Sequence, residues 1–389
     1  MKNDKLTRRD FIKKAAFAGA GLAVGGGLLT RLDTQAQESV KIYLPLILKA
    51  PTPSNRVVHV HDSNATYWDF GSNYYGNYVR QDVVNNMVDQ GVMALKGAGS
   101  VAQAWDTLFK AVNTDGYQSG QKIAIKVNLN NAFQCNDSDN AIDALIHPVN
   151  AIVRGLKQIG VAERDICVYE AVRQIPDRFV AGCLYPNVQF FSGCRQPPGS
   201  SSNDPDALVT FNPPSGPAPS PLRIPDVLIN AAYLINMPIM KTHDSAGVSL
   251  SFKNHFGTIS NPGSLHDYIF PGWSRFSTGY SPLIEIYQNP HVGTKTILTI
   301  GDGLFGAWAG YTSPPSRWTT FGNAAPNSLF FATDPVAIDC VMYDFLAAET
   351  TIKANADSYL SVAANIGLGV FEHGAPWGSG YSTIDYVKI

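Results

Sequence analysis

Short apolar runs and amphipathic stretches alternate along the chain from Arg56 onward. The run RVVHVH at 56–61 has the composition of a first strand. Val79 to Leu95 and Ser100 to Val112 repeat apolar residues at helical spacing, the second with Ser100 placed as an N-cap. KIAIKVNL at 122–129 alternates as a strand does, and His147 to Ile159 is helical, with Pro148 in its first turn and Gly160 at its end. DICVYE (165–170) then predicts a strand, IPDRFVAGCLY (175–185) a short helix and VQFFS (188–192) another strand. From Cys194 to Pro225 the rhythm breaks: nine prolines among many Ser and Gly mark a surface excursion, in which LVTF (208–211) has the pattern of a short edge strand. The rhythm resumes with AAYLINMPI (231–239), TKTILTIG (294–301) and SLFFAT (328–333) as strands. Asp334 to Ala348 is a helix opened by Asp-Pro, an N-cap and a first-turn proline. Helices and strands in this order, joined by short connections, predict an α/β fold with a mixed, largely parallel sheet flanked by helices.

The N-terminus carries a different pattern. TRRDFIKK precedes an apolar run from Ala15 to Leu29 that holds five glycines, and Thr34, Gln35 and Ala36 supply a small-residue end. Those are the parts of an export signal, with Arg8 and Arg9 as a twin-arginine pair. The run is too short and too poor in bulk to span a bilayer. The expected organisation is a signal peptide at 1–36, a tether at 37–55 containing IYLPLIL, and a single domain at 56–389 with its excursion at 194–225. The twin-arginine translocation machinery is then a partner, and the mature protein is periplasmic or otherwise extracytoplasmic, without a stable membrane span. Proteins with such signals cross already folded, often loaded with a cofactor, though nothing in the residues names one.

Charge narrows the partners. Asp, Glu, Lys and Arg make up 15% of the chain, against roughly 25% in an ordinary soluble domain. Removing 1–36 takes seven of the 29 Lys and Arg and three of the 31 Asp and Glu, leaving 22 basic and 28 acidic residues. That balance disfavours nucleic acid and anionic membrane surfaces. Five cysteines, at 135, 167, 183, 194 and 340, form no CxxC pair or ferredoxin-type run, so a protein-borne iron-sulfur cluster is not expected. Cys183 and Cys194 flank a strand-like segment and either pair after export or remain buried thiols; the odd count leaves at least one thiol free.

Against this scarcity of charge, NMPIMKTHDSAGVSLSFKNHFG (236–257) gathers Lys241, His243, Lys253 and His255. An anionic ligand or a metal is the simplest use for such a cluster. In α/β sheets ligands bind beyond the carboxyl ends of strands, where Lys241, Thr242 and His243, Glu170 and Asp302 all fall. On KIAIKVNL, Lys126 and Asn128 share the face opposite Ile123, Ile125 and Val127. In a central strand Lys126 needs a buried partner; in an edge strand it stands in water. A helical course for GVSLSFKNHFG places Lys253 one turn after Ser249 and Asn254 one turn after Leu250, with His255 facing away. GDGLFG (301–306) lacks GxGxxG spacing and no strong helix follows, so it predicts a flexible turn presenting Asp302. Asp334 has the position of an N-cap, whereas Asp339, inside VAIDCVMYDFL, calls for a cation such as Lys126 or Lys241. No HExxH or GxSxG motif is present; a metal would need His243 with Asp302 or Asp244.

In order, IAIKVNL, HPVNAIVRGLKQIGV, LINMPIMKTHDSAGVSLSFKNHFG, GDGLFG and ATDPVAIDCVMYDFL resemble the motifs of the domain of unknown function 362 family. The likeness runs from about Lys122 to Leu346. It implies that Lys126, Asn128, Lys241, His243, Lys253, Asn254, Asp302, Asp334 and Asp339 occupy motif positions. Some members carry ferredoxin-like cysteine clusters, which implies redox chemistry for those; this chain has none. The expected site is a strand-end pocket for a small anionic substrate or cofactor. Lys241, His243 and Asp302 are its catalytic set, His243 being the acid or base and Asp302 its orienting group. Lys126, Asn128, Lys253 and Asn254 bind the ligand. A metal-dependent hydrolase and a non-catalytic binding protein are the alternatives.

Overall fold

The computed structural model describes residues 55–389; the expected signal peptide and nearly all of the tether lie outside them. Twelve strands follow in chain order. They are β1 (Arg56–His61), β2 (Ile123–Val127), β3 (Ile166–Tyr169), β4 (Gln189–Phe191), β5 (Leu208–Val209) and β6 (Leu222–Arg223), then β7 (Tyr233–Met237), β8 (Ile239–His243), β9 (Gly247–Ser249), β10 (Thr296–Ala307), β11 (Ser328–Ala332) and β12 (Asp385–Lys388). The main sheet runs β12-β1-β11-β10-β7-β2-β3-β4, with β8 beside β10 and β9 beside β8. The pairs among β10, β7, β2, β3 and β4 are parallel, as are β10 with β8 and β1 with β12. Antiparallel pairing joins β11 to β1 and β10, and β8 to β9. The fold is thus α/β, with the mixed, largely parallel sheet that the chain's periodicity predicts. The pair β5 and β6 forms a separate ribbon within the proline-rich excursion.

Each face of the sheet is covered, which is why its strands are continuously apolar. Ile123, Ile125 and Val127 pack with Val84, Val88, Leu108, Val149 and Ile152, from the helices Gln81–Lys96, Val101–Val112 and Ile146–Lys157. Ala124, Leu234 and Phe330 face Ile286, Val341 and Leu360, from Pro282–Gln288, Pro335–Ala347 and Ser358–Asn365. Ser100 caps its helix by accepting from Gln103 N–H, and Asp334 accepts from Val336 and Ala337 N–H at 2.9 and 2.8 Å. Among the described residues no helix is long and apolar enough to cross a membrane.

Three expectations change. The single strand at 231–239 is two, β7 and β8, because Pro238 lacks the N–H that would continue the ladder; its carbonyl instead accepts from Asp302 N–H at 2.8 Å. GDGLFG is not a turn, since β10 continues through it to Ala307 with every residue from Ile297 onward buried. Its glycines answer to packing: a Cβ on Gly301 would strike Met342, and one on Gly306 would strike Trp318. The cysteine pair is Cys135–Cys194, closing a separation of 59 residues, while Cys183, Cys167 and Cys340 are free thiols.

Candidate functional site

The parallel strands β2, β3 and β8 end around one pocket of about 480 Å³. Beyond β2 the chain supplies Asn128 and Asn130; beyond β3 it supplies Glu170 and Arg173; β8 contributes His243 as its last residue. Lys253 and Asn254 come from the single helical turn Ser251–Asn254, and Phe256, His266, Phe270 and Tyr311 complete the wall.

Beneath the pocket lies a hydrogen-bonded polar network. Lys126 is fully buried on the central strand β2 and donates to Glu170 Oε2 (2.7 Å), Val127 O (2.6 Å) and Asn254 Oδ1 (3.2 Å). Three acceptors satisfy its ammonium, so it is a buried structural cation. Asn254 donates to Asn236 Oδ1 at 2.7 Å, and Asn236 donates to Ser251 O at 3.0 Å. Asp339 accepts from Ser251 N–H (2.7 Å), Phe252 N–H (3.3 Å) and Tyr359 O–H (2.9 Å). It therefore holds the turn that carries Lys253, and neither Lys126 nor Lys241 is its partner. Burial pushes Asp339 and the capping Asp334 each up to about 6.

Lys241 is also fully buried and does not line the pocket. Its ammonium donates at long range to Tyr311 O (3.5 Å), with the Asp143 carboxyl as the nearby opposing charge. Burial lowers the lysine and raises the acid. Asp302 lies outside the pocket as well. Its carboxylate accepts from Leu304 N–H at 3.1 Å and from Leu145 N–H, and burial raises it to about 7. It makes no contact of the kind needed to orient His243.

His243 is oriented by backbone instead. The Ser245 and Ala246 N–H groups donate to its Nδ1 at 3.2 and 3.1 Å, and its ring stacks on Tyr311 with centroids 4.6 Å apart. An acceptor Nδ1 fixes the proton of the neutral ring on Nε2. Burial, then the charges of Lys253, Lys241 and His266, push the imidazole down to about 2. Geometry and burial together favour the neutral ring, with Nε2–H as its hydrogen-bond donor. This arrangement suits hydrogen-bond donation better than the acid or base role expected from its position in the sequence.

Lys253 is set differently from the other two lysines. It is half-buried in the pocket wall, its ammonium lies 5.3 Å from the Phe256 ring centroid, and no carboxylate among the described residues pairs with it. Burial first, then Lys241 and Arg173, lower it to about 7. Arg173 donates through Nε to Asn130 O at 2.9 Å and lies over the Phe133 ring, likewise without a carboxylate partner among the described residues. Glu170, the buried carboxylate of the pocket lining, is committed to Lys126 and to the Val172 and Arg173 N–H groups. The pocket therefore presents cations whose countercharge the described residues do not supply.

His255 turns away, as its spacing predicts: it is fully buried, bonds Thr258 through Nδ1 at 3.2 Å, and is pushed down to about 3 by burial. Asp244 is exposed. Among the described residues no three His, Cys, Asp or Glu side chains are grouped to hold a metal. Of the expected site residues, His243, Lys253, Asn128 and Asn254 meet at the pocket, Lys126 supports it from below, and Lys241 and Asp302 sit elsewhere. Arg173, His266 and Tyr311 lie outside the expected set: Arg173 and Tyr311 stand in irregular segments, and His266 opens the single helical turn His266–Ile269, too short for periodicity to assign a side-chain direction.

A family model described as "Domain of unknown function (DUF362)" matches residues 123–344, a span containing every pocket residue named above. No curated protein matches the chain.

Proposed function

The chain belongs to the DUF362 family, and on that premise we propose that it is an exported enzyme acting on a small anionic substrate in the pocket at the ends of β2, β3 and β8. The carrying observation is the pair of cations, Lys253 and Arg173, that face the pocket without carboxylate partners among the described residues. Both are half-buried, so an anion in the pocket would complete cations that water only partly solvates. Arg173 supplies a planar guanidinium fork for a carboxylate; Lys253 adds a charge-assisted bond when protonated; His243 donates from Nε2 to a second oxygen. With His243 held neutral, Lys253 is the pocket group poised to exchange a proton near neutral pH.

Export through the twin-arginine machinery rests on Arg8 and Arg9. The Cys135–Cys194 bond adds support, since an oxidising extracytoplasmic compartment sustains such a bond.

Calorimetric titration with oxalate and with inorganic phosphate tests the pocket. A hydrogen bond to a charged group contributes roughly 1.5–3 kcal/mol, so Lys253→Met and Arg173→Met should each weaken binding by about tenfold to a hundredfold. Unchanged affinity in both variants, or no binding of either anion to the parent protein, overturns the reading. Binding without turnover across a panel of carboxylates and phosphate esters would place the protein among carriers instead of enzymes.

A further inference from the structure

We propose that Lys253 is a nucleophile for carbonyl compounds, and that the pocket forms an imine between its ε-amine and the keto or aldehyde carbon of a small acid whose carboxylate is held by Arg173. This rests on the anion-pocket reading and goes beyond it by naming the substrate class and the covalent step.

The three lysines around the pocket argue for it by contrast. Lys126 has three acceptors, one of them the Glu170 carboxylate. Lys241 is enclosed, with the Tyr311 carbonyl and Asp143 nearby. Lys253 has the aromatic face of Phe256 beside it, no carboxylate, and the pocket in front of it. A lysine that serves only as a structural cation is given acceptors, whereas one that must attack has to keep its lone pair available. Two features make the lone pair available: a half-buried setting against the Phe256 ring and neighbouring positive charge, which together favour the neutral amine. The groups acting on Lys253 are the cations Lys241 and Arg173, with His243, His266 and the committed Glu170 completing the surroundings. Their effect brings the amine to about 7 from an ordinary 10.5. At neutral pH its uncharged fraction then exceeds that of an exposed lysine by roughly a thousandfold.

The step balances without an outside oxidant or reductant. The neutral Nζ attacks the carbonyl carbon, forming the C–N bond while the C=O π pair moves onto oxygen. His243 Nε2–H stabilises the developing alkoxide by hydrogen bonding. Proton transfer from nitrogen to oxygen gives the carbinolamine; a proton from solvent then carries the hydroxyl away as water, the C–O bond breaks, and the nitrogen lone pair closes the C=N bond of the iminium. Arg173 keeps the carboxylate bound throughout and so orients the carbon toward Lys253.

The test uses the full-length protein with pyruvate as probe and borohydride as trap, followed by peptide mass spectrometry. Hydride addition to the iminium carbon should leave a carboxyethyl group on Lys253, with labelling at least about tenfold above that of any exposed lysine, given its larger neutral fraction. Oxalate should protect, and trapping should rise as pH increases through about 7. Lys253→Arg keeps the positive charge, so it should retain oxalate binding while losing the adduct. Oxalate binding without a Lys253 adduct, or an adduct of equal yield in Lys253→Arg, overturns the imine proposal and leaves the anion pocket standing. Failure of both oxalate binding and trapping overturns both.

Discussion

Replacing Lys126 by Met asks how much the buried network supports the pocket. Methionine has nearly the volume of lysine, so the packing of β2 is retained, but the bonds to Glu170 Oε2, Val127 O and Asn254 Oδ1 are lost. The Glu170 side chain, 4% exposed, then keeps only the Val172 and Arg173 N–H groups as partners, at 3.0 and 3.2 Å. Removing one member of a buried ion pair costs roughly 3–5 kcal/mol, chiefly because the other charge is stranded. Lys126→Met should therefore lower stability by about that amount, a large share of the roughly 5–15 kcal/mol of a typical domain. Adding Glu170→Gln removes the stranded charge and should recover about 2 kcal/mol, appearing as a coupling energy in the double-mutant cycle. Urea denaturation followed by circular dichroism and tryptophan fluorescence reads the change as a shift in midpoint at constant slope. A loss below about 1 kcal/mol for Lys126→Met, or additive losses in the double variant, would refute the reasoning. Arg173 N–H is held by Glu170, so the same variant should also weaken oxalate binding.

Asp302 is raised by burial from 3.8 to about 7. The folded state thus binds its proton more readily than the unfolded state, and stability contributed in acid is lost as pH rises between those values. Thermal unfolding at about pH 5 and about pH 8 should show Asp302→Asn gaining on the parent as pH increases; a pH-independent difference would contradict this. Gly306→Ala places a methyl group against Trp318 and 3.1 Å from Met240 O. Overpacking of this kind should cost roughly 1–3 kcal/mol in urea denaturation, whereas a true turn at this position would tolerate alanine.

Most of the fold is legible along the chain because local periodicity and caps agree with the final packing. The strand β2, the capped helix Val101–Val112 and the Asp-Pro start of Pro335–Ala347 show this. Where local rules and packing conflict, packing decides. Glycines that suggest a turn at 301–306 are there because Met342 and Trp318 leave no room for a Cβ, and an apolar run that suggests one strand is divided by Pro238. The site divides in the same way. Sequence places His243 and Lys253 near strand ends, but it does not show that Tyr311 covers Lys241, or that Asp302 satisfies Leu304 and Leu145 N–H groups. Nor does it show that two backbone N–H groups take the Nδ1 of His243. Arg173 lies three residues beyond Glu170 in a loop, and Cys135 lies 59 residues from Cys194; neither relation leaves a periodic trace.

The central claim is that Lys253 and Arg173 make an anion site whose charge changes near neutral pH, and the pH dependence of oxalate affinity tests it most directly. Oxalate keeps its own charge between about pH 6 and about pH 9, so any change reports the protein. With Lys253 near 7, affinity should be level below that value and fall toward tenfold per unit above it, about 1.4 kcal/mol each. Lys253→Met should bind more weakly and lose that fall. A parent protein whose oxalate affinity is flat across the range, or a Lys253→Met profile that coincides with the parent's, would contradict the account.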